Sequence, residues 1–117
     1  MAWTLECYQH DDGESPVEDF IEGLPTKLRA RVKAHLTWLQ EVASQAAAPI
    51  SKPLGGGLFA VRVSVGHDEI RLLYAFFPGK RIVLLHGFRK KTRAIPASAL
   101  KIARARLREL TPENQRG

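Results

Sequence analysis

Between Leu58 and Phe88 two short turn signals divide the chain into three strand-like runs, and no other feature restricts the fold as much. Phe59, Val61, Val63 and Val65 alternate with Leu58, Ala60, Arg62 and Ser64. This period of two marks a strand with the valines on one face and Arg62 on the other. Gly66-His67-Asp68 interrupts the pattern, Glu69 to Phe77 resumes it, and Pro78-Gly79-Lys80 interrupts it again before Arg81 to Phe88. Turns this short join antiparallel neighbours, so the three runs form a meander. The second and third runs are apolar on both faces, which predicts a sheet covered on each side.

Helical periods flank the meander. Ser15-Pro16-Val17-Glu18 reads as a helix start, with Ser15 as N-cap, Pro16 at the first helical position and Glu18 completing a capping box. Pro25 stops that helix near Gly23. Leu28, Val32, Leu36, Leu39 and Ala43 then recur at helical spacing from about Thr26 into the mid-forties. Ser44 to Pro53 reads as a connector, because Pro49 and Pro53 exclude a continued helix. Pro96 opens a final helix with Ala99, Ile102, Ala103, Leu107 and Leu110 inward and Lys101, Arg104 and Arg108 outward. Residues 2–8 supply a first strand. The expected fold is a small α+β domain over residues 1–117. Its antiparallel sheet comprises the N-terminal strand plus a three-strand meander, with two N-terminal helices and one C-terminal helix.

The charge is segregated along the chain. The 117 residues carry a net charge of +6. From Met1 to Pro25 the charged residues are Glu6, Asp11, Asp12, Glu14, Glu18, Asp19 and Glu22, with no Lys or Arg. From Lys80 to Arg108 every charged residue is basic. A one-signed field of this kind concentrates polyanions, so a nucleic-acid or acidic-protein partner is expected. No apolar run reaches the ~18 residues of a membrane span, and the N-terminus lacks a secretion-signal pattern. With Cys7 alone, no intrachain disulfide forms, and a reducing cytoplasm is the expected location. Nucleophile-elbow, metal-spaced and phosphate-loop patterns are missing, and Gly55-Gly56-Gly57 precedes a strand instead of a helix. No metal or cofactor is expected.

What remains is a set of cations on the meander. Arg62 on the first meander strand, Arg71 on the second and Lys90-Lys91 just past the third can converge, since neighbouring strands lie about 4.8 Å apart, close enough to surround one phosphate. RNA cleavage by transesterification requires the 2′-hydroxyl deprotonated, the phosphorane charge stabilised and the 5′ oxygen protonated. Crowded lysines and His86 are the acid–base candidates, with His67 placed in a solvated turn. Arg62 and Arg71 are the electrostatic ones. Asp68 and Glu69 are carboxylates that could instead neutralise the arginines. Arg89, Arg93, Lys101, Arg104 and Arg108 are candidates for RNA or ribosome contact.

The stretch "IVLLHGFRKKTRAIP" resembles the HigB-type branch of the RelE/ParE toxin superfamily. The family pattern is a strand ending His-Gly-Phe, then Lys-Lys-Thr, then Pro. Here these are His86-Gly87-Phe88, Lys90-Lys91-Thr92 and Pro96. "SPVEDFIEGLP", "KPLGGGLFAVRV" and "EIRLLYAF" are similar to the family's other blocks. The resemblance implies a RelE/ParE-like fold and the toxin of a type II toxin–antitoxin module. It also implies a ribosome-dependent mRNA endonuclease with rRNA contacts, a helix-turn-helix antitoxin as partner, and catalytic basic residues at Arg62, Arg71 and Lys90-Lys91. Two positions depart from the pattern. Ala60 stands where an acid is usual, and Tyr8 and Tyr74 are the only tyrosines, neither near the C-terminus. Two other readings fit the residues: a ParE-like toxin targeting gyrase, and a non-catalytic basic partner of a helix-turn-helix repressor.

Overall fold

A computed structural model describes residues 3–43, 51–90 and 95–111, those of 51 and 52 in backbone only. The elements follow in the order β1 (Thr4–Cys7), α1 (Pro16–Glu22), α2 (Thr26–Val42), β2 (Ser51–Gly55), β3 (Leu58–Val65), β4 (Asp68–Phe77), β5 (Arg81–Arg89) and α3 (Ala97–Leu110). The α+β class expected from the periods is the class observed.

Among the described residues the sheet has five strands in the order β1-β5-β4-β3-β2. β3, β4 and β5 are antiparallel neighbours, as the short turns require. Val65 pairs with Asp68 across a two-residue turn, in which Gly66 takes φ +62°. That left-handed backbone matches the twist of the flanking strands and favours glycine.

The edges differ from the expected antiparallel sheet. β1 lies parallel to β5, with Thr4 opposite Arg81 and Cys7 opposite Leu84. Arg81 clasps Glu6 across this junction with two hydrogen bonds of 2.8 and 3.0 Å. The other edge is β2, in part of the segment expected as a connector. Proline removes a ladder donor, so it is tolerated in a strand at an edge, and Pro53 occupies one. Pro49 lies outside the described residues.

Helices cover both faces. On one, α1 and α2 bury Val17, Ile21, Leu28, Val32, Leu36 and Leu39 against Val61, Val63, Ile70, Leu72, Tyr74 and Leu84. Each such side chain stabilises the fold by about 1.5–3 kcal/mol relative to exposure. Ser15 caps α1: its Oγ accepts from the Glu18 amide at 3.4 Å and donates to the Tyr8 carbonyl at 2.9 Å. On the opposite face, α3 sets Ala99 and Ala103 on Leu58, Ala60, Leu73, Ala75, Val83 and Leu85. The small alanines let this helix lie close to the sheet. Its inward stripe is completed by Leu100 and Leu107, whereas Ile102 and Leu110 are exposed, contrary to the expected stripe.

Candidate functional site

The candidate site begins with a cross-strand pair. Arg62 of β3 stands directly opposite Arg71 of β4. Residues opposite one another share a sheet face, with Cβ atoms about 4.5–5.5 Å apart. That face is the α3 face, because Ala60, two residues before Arg62, and Leu73, two after Arg71, are buried beneath α3. The two arginines therefore lie at the end of the sheet beyond these covered residues. Like charges so placed repel.

One carboxylate relieves part of this repulsion. Glu69, two residues before Arg71 and on the same face, forms ion pairs with Arg71 Nη2 at 2.8 Å and Lys90 Nζ at 3.5 Å. Lys90 is placed by its own amide, which donates to the Glu69 carbonyl at 2.8 Å. The Lys90 side chain is 9% exposed and that of Arg71 15%. Among the described residues Arg62 is exposed and forms no ion pair or hydrogen bond. Arg71 and Lys90 thus share one acid, while Arg62 beside them has none among the described residues. Burial draws the Arg71 guanidinium below its usual value; Glu69 opposes that effect and Arg62 adds to it. Arginine remains charged regardless. Its Nε is buried without an acceptor among the described residues, a lost bond costing about 1–3 kcal/mol.

His86 joins the group through an irregularity in β5. Tyr74 pairs with Leu84, but Leu73 pairs with His86, so Leu85 is an extra residue in the ladder. Leu85 packs on the α3 face. A regular strand would send His86 to the opposite face; the bulge returns it to the face of Leu73 and Arg71. The residues that follow shift with it. Phe88 stands opposite Arg71, and its ring stacks on His86 with centroids 5.9 Å apart and 24° between planes. Gly87 turns toward α1, where a Cβ would lie 2.8 Å from atoms of both Leu72 and Phe20. Burial, and secondarily the charge of Arg106, hold the half-buried His86 imidazole below the ordinary histidine pKa.

The other expected contact residues divide. Arg89 stands opposite Ile70 on the α1/α2 face, 3.8 Å from Asp68, and so does not join the cluster. Lys101 and Arg108 are exposed on α3. Arg104, expected outward, bends to donate to the carbonyls of Leu54 at 3.1 Å and Gly55 at 3.2 Å. Lys91 and Arg93 lie outside the described residues. His67 is exposed in the β3–β4 turn.

Sequence reasoning missed two members of this neighbourhood. In the sequence Phe88 is only the end of a strand and of the His-Gly-Phe pattern, and Arg106 only one of the bases between Lys80 and Arg108. The Arg106 guanidinium turns inward, donating to the Leu85 carbonyl at 2.8 Å and lying 4.9 Å from the Tyr8 ring centre. Its place beside Leu107, next to the inward stripe, was the available signal.

Among the described residues no group of His, Cys, Asp and Glu is arranged to hold a metal ion, and no helix is long and apolar enough to cross a membrane. The chain matches no curated protein. Residues 19–108, from within α1 almost to the end of α3, match the phage-derived protein Gp49-like family (DUF891). The chain therefore belongs to this Gp49-like family, which is associated with RelE/HigB-type toxins of toxin–antitoxin systems.

Proposed function

We propose that this protein is a type II toxin and an endoribonuclease that cleaves mRNA on the ribosome by 2′-hydroxyl transesterification. The observation that carries the reading is the facing pair Arg62–Arg71, with His86 and Lys90 on the same sheet face. Arg62 has no carboxylate partner among the described residues, which leaves its fork for a phosphate. Arg71, fixed by Glu69, supplies a second positive group from the neighbouring strand. Two such groups match the charge that develops on a phosphorane.

Proton transfers complete the step. A histidine held below its ordinary pKa is neutral near pH 7 and suited to take the 2′-hydroxyl proton. The 2′ oxygen then bonds to phosphorus, the bond to the 5′ oxygen breaks, and that oxygen takes a proton from the Lys90 ammonium. The products are a 2′,3′-cyclic phosphate and a 5′-hydroxyl, and the step consumes no cofactor. Lys91 belongs to the same proposal from its sequence position. Lys101 and Arg108, exposed on α3, would contact rRNA or mRNA phosphates, and Arg93 is assigned there by position. The family's toxin–antitoxin association supports a cognate antitoxin, proposed as a helix-turn-helix protein. The cytoplasm is the compartment this function requires.

Inducing the protein in cells and mapping mRNA ends tests the proposal. Wild type should yield new 5′-hydroxyl ends in translated messages. Arg62→Ala and Arg71→Ala should each reduce them by about 100- to 1,000-fold. Intact transcripts during growth arrest would reject the nuclease and direct attention to gyrase, which a supercoiling assay would then examine.

A further inference from the structure

Arg106 is held from two sides. Its Nη1 donates to the Leu85 carbonyl at 2.8 Å, and its guanidinium lies over Tyr8, a residue 4% exposed. The Tyr8 hydroxyl in turn donates to Glu109, three residues along the same helix. Leu85 is the extra residue of the β5 bulge. A bulge leaves one residue without its ladder partner, and here the carbonyl of that residue receives the Arg106 proton.

We infer that Arg106 is a positioning residue that locks the β5 bulge from α3, so that His86 and Lys90 stay on the sheet face of Arg62 and Arg71. Without the bulge Leu73 would pair with Leu85, and every later side chain of β5 would change faces. His86, Phe88 and Lys90 would turn toward α1 and α2, and Gly87 and Arg89 would replace them. The basic pair would then face neither acid–base group. The clamp itself is independent of the reaction; its consequence for cleavage rests on the nuclease reading above.

Several charged groups share the side of the sheet that His86 occupies. Arg106 comes from α3, Arg71 and Glu69 from β4, Lys90 from the residue after β5 and Arg62 from β3. Of these, Arg106 adds to burial in disfavouring the imidazolium. Replacing Arg106 therefore has an electrostatic signature besides its geometric one.

The test uses NMR on the full chain as wild type, Arg106→Ala, Arg106→Gln and Arg106→Lys, beside ribosome-dependent RNA cleavage. In wild type, cross-strand contacts should join Leu73 to His86 and Tyr74 to Leu84. In Arg106→Ala the Tyr74–Leu84 contact should persist, while the Leu73–His86 contact is lost or exchanges with Leu73–Leu85. The His86 titration midpoint should move up in the Ala and Gln variants and return toward wild type in Arg106→Lys. Cleavage by the Ala variant should fall about 100-fold, the scale of an ångström-sized misplacement. Unchanged Leu73–His86 contacts in folded Arg106→Ala would overturn the clamp. If that variant does not fold, Arg106→Gln decides by the same contacts. Loss of the bulge with undiminished cleavage would overturn its catalytic role. A wild type that never cuts RNA, but whose Arg106→Ala variant loses the bulge, would retain the clamp and remove the nuclease reading.

Discussion

Arg62 and Arg71 face each other across two strands, and a fold selected for stability alone would not keep them there. Like charges directly opposite on a sheet are destabilising, and Glu69 neutralises one arginine while also serving Lys90. Removing the exposed cation should relieve the repulsion. Arg62→Ala is expected to raise unfolding stability by about 0.2–1 kcal/mol in urea titrations while cutting cleavage by about 100- to 1,000-fold. Glu69→Gln should act in reverse, lowering stability by about 1–3 kcal/mol, because Arg71 and Lys90 would lose their shared carboxylate. His86 gives a pH dependence of definite sign. Its pKa is lower in the folded chain, so the unfolded chain binds a proton first as pH falls. Stability should decline as pH drops below the ordinary histidine value and on through the folded one. Glu6 adds to the loss at lower pH, since Arg81 depresses its pKa and that stabilisation disappears as Glu6 protonates. Melting temperatures between pH 7.5 and 5 should therefore fall, and less steeply in His86→Gln.

At the scale of elements, β5 carries the most information per residue, and one inserted residue within it decides which side chains meet. Gly87 shows the constraint from the other face. A methyl group there would meet both Phe20 and Leu72 at 2.8 Å, so Gly87→Ala should cost about 1–3 kcal/mol by overpacking, measured by chemical denaturation. These details set the limit of what the sequence discloses. The meander, the Ser15 cap and the α2 stripe were legible because each rests on a period or a capping pattern local to the chain. The bulge was not, since Leu84 and Leu85 are both apolar and a run buried on both faces gives no alternation to count. β2 was hidden for another reason: Pro53 argues against a strand unless the strand is known to lie at an edge. On α3, Ile102 attracted the inward assignment, but the helix presents Leu100 instead, a phase that depends on how closely Ala99 and Ala103 approach the sheet. Arg62 and Arg71 were legible as a pair because alternation and a two-residue turn fix their register.

For the whole molecule, the segregated charge of the sequence becomes a difference between the two sheet faces. On one side the exposed Glu18 and Asp19 of α1 stand with the exposed Lys27, Arg31 and Lys33 of α2, so both signs mix there. On the other, α3 exposes Lys101 and Arg108, and its Glu109 is engaged by Tyr8. Arg62, unpaired among the described residues, opens on the α3 side as well. A polyanion approaching that side meets the field and the candidate site together, whereas Arg89 points to the opposite face. This separates two classes of base by their salt response. Binding to RNA releases counterions, so affinity falls with salt by a slope of about −0.7 per phosphate contact for a single strand. Lys101→Ala and Arg108→Ala should each flatten that slope by roughly one contact and weaken binding evenly across RNA sequences. Arg89→Ala should leave the slope unchanged. Fluorescence titrations of a labelled single-stranded RNA at graded salt would read this directly. Equal slopes in the Arg89→Ala and Arg108→Ala proteins would mean that RNA does not approach from the α3 side, and the proposed alignment of phosphate with Arg62 would be lost with it.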